Sequence, residues 1–397
     1  MRRKFAPIIA LLCAASCSNG IFDGYYDYTD SPSPEAPGSH EGGNSEAGVL
    51  TAGEWNDLNN WDFWSSLLLN NESEGAKSKT AYWGFYPDAR VAVQISCESA
   101  DKSLIPAAGA AVELLDAEGQ ILWSAVTTNS GAANLWPCMY DREQDVDFSQ
   151  LRLKIDGALQ DAPVEVTFYQ DKELKINEFT LSESPYTDNS ADIAFIVDAT
   201  GSMSDEIDFL KSDLVDILKK AGRVDTQMTL RTAALFYRDE GDDYLTRHQD
   251  FSTDINSTVN FVKEQSADGG GDYPEAVHTA LERGLQDLSW NENAYAKLAF
   301  LILDAPAHYK ESVLESLHGS IRTYARNGIA IIPVAASGVD KSTEFMLRCF
   351  AIATDGTYTF LTNDSGVGGD HIKPTVGDYK IEQLNDLLTR IIEERIQ

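Results

Sequence analysis

The chain has 397 residues, enough for two folded domains and a tail at about 100–200 residues per domain. It carries 63 acidic against 31 basic residues, a formal charge of −32. Such a surface repels polyanions, which excludes a nucleic-acid partner and disfavours an anionic lipid face; it suits solubility, cationic partners, or partners met through a bound divalent cation.

The amino terminus is basic at Met1-Arg-Arg-Lys4, apolar up to Ala15, and closes on Ser16-Cys17. This is the pattern of an export signal, too short for a spanning helix. Ala14-Ala15-Ser16-Cys17 resembles the lipobox of bacterial lipoproteins, with Ala14 where that pattern prefers Leu. The resemblance implies that residues 1–17 are a signal peptide with its lipobox. Cys17 then becomes a lipidated first residue and anchors the protein in the cell envelope. A plain secretory signal cleaved near Ser16 is the alternative, and both take the mature chain out of the cytoplasm. Residues 18–50 are rich in Pro, Gly, Ser and acids and lack apolar periodicity. They read as a flexible tether, and ~30 such residues have an r.m.s. span of about 30 Å.

Residues 51–79 hold Trp55, Leu58, Trp61, Trp64 and Leu67-Leu-Leu69, a spacing that predicts a helix docked on the following domain. Residues 80–185 look all-β. Val91, Val93, Ile95 and Cys97 alternate with smaller or polar residues, and strands are expected at 112–115, 121–126, 132–136, 151–155 and 164–169. Short strands at regular spacing predict a β-sandwich. The order of strand, Asp116-Ala-Glu-Gly119 turn, strand, Thr127-Thr-Asn-Ser-Gly131 and strand resembles carboxypeptidase-regulatory or transthyretin-like modules. Cys97 and Cys138 fall in this region, and outside the cytoplasm a disulfide between them is permitted; two free buried thiols are the alternative. No Cys-x-x-Cys spacing exists, which argues against a zinc site of that type.

From residue 190 to 397 strands alternate with amphipathic helices. Strands are expected at 193–197, 229–237, 298–303, 329–334 and 357–361, and helices at 204–221, 254–265, 274–287, 310–327, 341–352 and 380–395. That order predicts a Rossmann-like α/β domain with a mostly parallel sheet and helices on both faces. The whole chain is then multidomain, a β-sandwich followed by an α/β domain. Ligand sites in such sheets lie at the carboxyl ends of the strands.

Those ends are acidic. The first strand runs into Asp198-Ala-Thr-Gly-Ser-Met203, the second into Tyr237-Arg-Asp239, and the third into Asp304, while Asp268-Gly-Gly-Gly-Asp272-Tyr-Pro-Glu275 precedes a helix. A carboxylate and two hydroxyls at a strand-to-helix turn are hard oxygen ligands suited to Mg²⁺; turn and cap residues of the same types are the alternative. The spacing Asp198-x-Thr200-x-Ser202 resembles the metal-ion-dependent adhesion site of von Willebrand factor type A (vWA) domains, with Thr200 in place of the usual Ser. Asp304 matches that family's third segment. Asp272 stands where its second segment has a threonine.

The resemblance implies a vWA domain over residues 190–397. It further implies a metal set of Asp198, Thr200, Ser202, Asp272 and Asp304, with Asp239 as an outer carboxylate. The cation would be Mg²⁺, or Mn²⁺ or Ca²⁺, with one position open to an acidic side chain of a protein or peptide partner. No catalytic residue is assigned and the chain is read as a binding protein, not an enzyme. A metal-assisted hydrolase with Asp239 or His308 as base, and a scaffold with a vestigial site, are the alternatives. His371 and His308 are more simply read as structural or exposed.

Overall fold

The computed structural model describes residues 46–70, 76–99, 101–141, 146–171, 173–223 and 227–397. The export signal, the lipidation site Cys17 and the tether up to residue 45 lie outside the described residues. The first elements are β1 (Thr51–Trp55), α1 (Trp61–Leu69), α2 (Ala76–Trp83), β2 (Ala89–Glu98), β3 (Leu104–Pro106), β4 (Ala111–Leu115), β5 (Ile121–Val126) and β6 (Ala132–Leu135). Next come β7 (Arg152–Ile155), β8 (Ala158–Leu159), β9 (Thr167–Phe168), β10 (Ile176–Leu181), β11 (Asp188–Asp198), α3 (Ile207–Ala221), β12 (Thr229–Tyr237), β13 (Thr246–Ser252), α4 (Ile255–Lys263) and α5 (Val277–Gln286). The chain ends with β14 (Ala294–Leu303), α6 (Glu311–Arg326), β15 (Ile329–Ala335), α7 (Lys341–Ala353), β16 (Tyr358–Leu361), β17 (Glu382–Gln383) and α8 (Leu384–Ile396).

The carboxyl-terminal part is an eight-stranded mixed sheet in the order β13-β12-β11-β14-β15-β16-β1-β17. Its centre, β12-β11-β14-β15-β16, is parallel, while β13, β1 and β17 pair antiparallel. Residues 190–198 of β11 are all buried because helices or packed side chains cover both faces, so the strand reads as a continuous apolar run. On one face Ile193, Phe195 and Val197 meet Leu214 and Ile217 of α3 and Leu387 and Ile391 of α8. Phe195 stacks on Phe300 of β14 at 5.2 Å. On the other face Ile196, Leu235, Leu301 and Leu303 meet α5, α6 and α7.

Two smaller sheets precede it. One joins β10, β2 and β3, with β6 and β9 also paired to β2; the other has the order β5-β4-β7-β8. Val91, Val93 and Ile95 of β2, Val112 and Leu114 of β4, and Leu153 and Ile155 of β7 share one apolar cluster. That cluster continues into Leu317, Ile321 and Phe350 of α6 and α7, so the two parts have a common core.

Three expectations change. The tryptophan segment does not act as a single docking helix. Trp55 belongs to β1, which pairs with β16 in register Trp55↔Tyr358 inside the large sheet. Trp61 and Trp64 of α1 then face opposite neighbours: Trp136 at 5.9 Å and Phe345 of α7 at 5.7 Å. The expected strand over 164–169 shrinks to Thr167–Phe168. Finally, Cys97 and Cys138 are free thiols. Cys97 lies at the end of β2, whereas Cys138 lies near its start: Asp88 perturbs the Cys138 thiol and Met139 O accepts from Tyr86 N at 2.8 Å. Nine strand residues separate those ends by ~30 Å, far beyond the ~4.4–6.8 Å between Cα atoms that a disulfide allows.

Candidate metal centre

Parallel register brings the acidic strand ends together. Asp198 of β11 pairs with Tyr237 at the end of β12, and Val197 pairs with Ile302 of β14. Asp239 and Asp304 therefore emerge on either side of Asp198. The residues after β11 cannot continue the strand, because Thr200 folds back on Asp198. Its backbone N and its Oγ1 donate to Asp198 Oδ1 at 2.9 and 2.7 Å. Thr200 Oγ1 lies 3.1 Å from Ser202 Oγ, within a short 3-10 turn over Gly201–Asp205 that leads into α3. Asp198 and Thr200 are fully buried, whereas Ser202 is exposed.

The glycine-rich loop closes over this turn. Asp268 N donates to Ala199 O and Gly201 N donates to Gly269 O, both at 3.1 Å. Gly269 and Gly270 have φ of +78° and +69°. A Cβ on Gly269 would sit 2.4 Å from the Asp242 carboxylate, and one on Gly270 3.3 Å from Thr200 Cβ. Both left-handed geometry and close approach therefore demand glycine. The buried Arg238 supports the same loop, donating from Nε to Ala199 O at 3.1 Å and from its NH2 nitrogen to Ser266 O at 2.9 Å.

The second-segment acid is not where spacing put it. Asp272 is exposed, and the residue that turns inward is Glu275. Glu275 N donates to Pro306 O at 2.8 Å and forms a β-bridge with Ala307, which holds it just beyond Asp304. Glu275 stands in the same Gly-Gly-Gly-Asp-Tyr-Pro-Glu run, immediately before α5. The signal for it was present, but no loop period ranks one acid over another three residues away.

Asp239 is buried and its Oδ1 lies 2.8 Å from His308 Nε2. His371 is engaged elsewhere: its Nε2 meets Glu206 Oε1 at 2.9 Å and its Nδ1 meets Asn363 Oδ1 at 2.8 Å. Glu206, fully buried at the start of α3, also accepts from Ser337 N at 3.3 Å.

Electrostatics mark this pole. Burial pushes the Asp198 carboxyl up to about 6, although the bonds from Thr200 pull the other way. Burial, then the charges of Asp198, Asp239, Asp304 and Asp242, pushes Glu275 up to about 9. Asp304 is held well above the usual carboxylate range by burial and by Asp198, with the Ser202 hydroxyl opposing. Tyr237 is raised by burial and by the same three acids. Among the described residues none of Asp198, Glu275 and Asp304 has a Lys, Arg or His ion-pair partner. Glu275 Oε2 and Asp304 Oδ1 are buried with no hydrogen-bond partner. Asp198 Oδ2 and Tyr237 Oη have none at ordinary hydrogen-bond geometry, although the Tyr237 hydroxyl is near enough to pull the Asp198 carboxyl down.

Buried acid oxygens left unpaired cost free energy unless something satisfies them. A hard cation fits that donor set, which is oxygen alone. Among the described residues no three His, Cys, Asp or Glu side chains converge at metal-holding distance. A cation here would therefore lean on hydroxyls and water besides carboxylates, as Mg²⁺ does.

Residues 192–324 match the von Willebrand factor A domain family. Over 138 residues the chain is 32% identical to a putative ariadne-like RING finger protein of Acanthamoeba polyphaga mimivirus, covering 34% of this chain and 13% of that protein. Over 153 residues it is 29% identical to the alpha-protein kinase vwkA of Dictyostelium discoideum, covering 37% of this chain and 24% of the kinase. The chain thus spans about an eighth and a quarter of these two curated relatives. Among solved structures it is similar to the conserved hypothetical protein BatB from Bacteroides thetaiotaomicron, with 13% identity, a TM-score of 0.35, and coverage of 52% of this chain and 96% of BatB.

Proposed function

We propose, for a chain whose residues 192–324 match the von Willebrand factor A domain family, that it binds a protein or peptide partner through a divalent cation at the acidic pole of the sheet. A vWA domain fits a protein-interaction role in general. The observation that carries the finer reading is the pair of buried, partnerless acid oxygens of Glu275 and Asp304 beside Asp198, whose second oxygen has only the Tyr237 hydroxyl near it. In this reading Thr200 and Ser202 supply hydroxyl oxygens, Asp198 and Asp304 supply carboxylates directly or through water, and Glu275 takes the role expected of Asp272. Asp239, tied to His308, stands behind them.

The preferred cation is Mg²⁺, with Mn²⁺ or Ca²⁺ able to replace it. When bound, it supplies a Lewis-acidic centre for a partner's carboxylate, and exposed Ser202 marks the side from which that group enters. The extra acid, Glu275, strengthens cation binding and weakens the cation's pull on an acidic ligand. Export, a lipid on Cys17, a cell-envelope location and a β-sandwich built from the two small sheets complete the proposal, with the tether holding the binding pole away from a membrane.

Calorimetric titration of Mg²⁺ and Mn²⁺ into the metal-free protein tests it. Saturable one-site binding, lost in Asp198→Ala and weakened about tenfold or more in Glu275→Gln, is expected on the worth of a buried charged ligand. Equal heats in all three proteins would end the proposal. The Asp239–His308 pair favours one second reading, a metal-assisted hydrolase with His308 as base. Metal-dependent turnover of a nitrophenyl ester or phosphate, abolished in His308→Ala, would install that reading instead.

A further inference from the structure

A cleft of about 560 Å³ lies at the opposite end of β14 from the acidic pole. One wall is Val126–Asn129, at the end of β5, with Tyr186; the other is the start of β14, the end of α6 and the Leu288–Asn293 turn. Ten strand residues separate the two poles by ~30 Å, so the cleft is independent of the candidate metal centre and of the function proposed for it. Its size falls within the ~300–1,000 Å³ of small-molecule sites.

The wall is mixed but its charges are unevenly matched. Of its two acids, Glu292 is exposed at the rim and Asp355 is engaged. Asp355 is half-buried and accepts from both the backbone and the side chain of Asn134. Behind the wall, Asp192 Oδ2 accepts from Asn291 N at 2.6 Å and pairs with Arg231 at 3.3 Å. The cations are less engaged. Lys297 is only 7% exposed, yet its Nζ has a single partner among the described residues, the Glu292 carbonyl at 2.8 Å, and no carboxylate within ion-pair distance. An ammonium has three donors, so two remain. Arg326, exposed at the end of α6, has no hydrogen-bond or ion-pair partner among the described residues. Trp290, Leu285 and Val126 supply apolar and aromatic surface between them.

We propose that this cleft binds a compact organic anion, an apolar or aromatic body ending in a carboxylate held between Lys297 and Arg326. Asp192 and Glu292 act on Lys297 only from beyond ion-pair distance, so its burial remains costly, and a ligand carboxylate in direct contact offsets that cost. A free acid and the carboxyl-terminal residue of a peptide present the same chemistry.

Calorimetry on the full chain with four probes tests this: 4-phenylbutyrate, 4-phenylbutanamide, and Gly-Gly-Phe with a free or an amidated terminus. At least one acid should bind about tenfold or more tighter than its amide, as a charge-assisted contact requires. Lys297→Met and Arg326→Ala should each weaken that acid by about the same factor, and Asp198→Ala should leave it unchanged. Whichever acid binds tighter identifies the source of the ligand. The proposal is overturned by equal binding of acids and amides, by no acid binding at millimolar concentration, or by acid binding that survives Arg326→Ala, an exposed position where folding is not at stake.

Discussion

Asp198 and Glu275 differ in what their buried oxygens do. Asp198 keeps one oxygen on Thr200 and leaves the other with only the Tyr237 hydroxyl near it, whereas Glu275 sits among four other acids and is pushed up to about 9. At neutral pH without a cation Glu275 is therefore largely protonated. Glu275→Gln should leave the metal-free melting temperature at pH 7 nearly unchanged while weakening cation binding, a split that melting curves with and without Mg²⁺ will read. Away from this pole, burial pushes Asp192 up to about 6 and Asp213 up to about 7. A carboxyl whose folded pKa is raised binds protons in the folded state that the unfolded chain releases. Its contribution is present below about pH 4 and is lost as pH rises through the folded value. These two groups should then make the metal-free protein lose stability between about pH 4 and 7, by at most about 1.4 kcal/mol per pH unit per group, and Asp213→Asn should flatten the slope. Denaturant melts at three pH values check it. That Asp198, Thr200, Ser202 and Asp304 share one pole of the sheet was legible in sequence because strand ends and a turn spacing locate them. Glu275 was not, because its inward turn depends on a bridge to Ala307 more than 30 residues away.

The elements recovered from periodicity are those with two buried faces or a clear helical stripe. β11, β12, β14 and β15 and the six helices after residue 200 fall close to where apolar runs place them. β13 did not, since Thr-Arg-His-Gln-Asp-Phe-Ser has no apolar alternation and survives as an edge strand through its backbone bonds to β12. β1 hid for another reason: its tryptophan matched a helix stripe, and only pairing with β16 makes it a strand. One contact ties this segment to α7. Arg348 donates to both oxygens of Asp57, at 2.8 and 2.6 Å, with both side chains buried. Asp57→Ala would leave buried Arg348 with only Thr375 O and, at 3.8 Å, Glu344, so it should cost up to about 3–5 kcal/mol. Chemical denaturation of that variant and of the Asp57→Leu, Arg348→Met double variant provides the check, and the double variant should recover part of the loss.

At the scale of the whole molecule, the large sheet is completed by residues that precede the small sheets in sequence. β1 lies between β16 and β17. A fragment starting near residue 186 therefore exposes the edge of β16 and should aggregate or melt well below the full chain in light scattering and calorimetry. The surplus of 32 negative charges adds self-repulsion, which salt screens. Monovalent salt alone should thus raise the melting temperature gradually, in wild type and site variants alike, and a specific cation effect has to be read above that background. The most direct measurement is the melting temperature of wild type and Asp198→Ala at constant ionic strength, with and without millimolar Mg²⁺ or Mn²⁺. A bound cation stabilises the folded chain by mass action, so wild type should gain several degrees and the variant none. An equal shift in both proteins, or no shift in either, would contradict a cation site at Asp198.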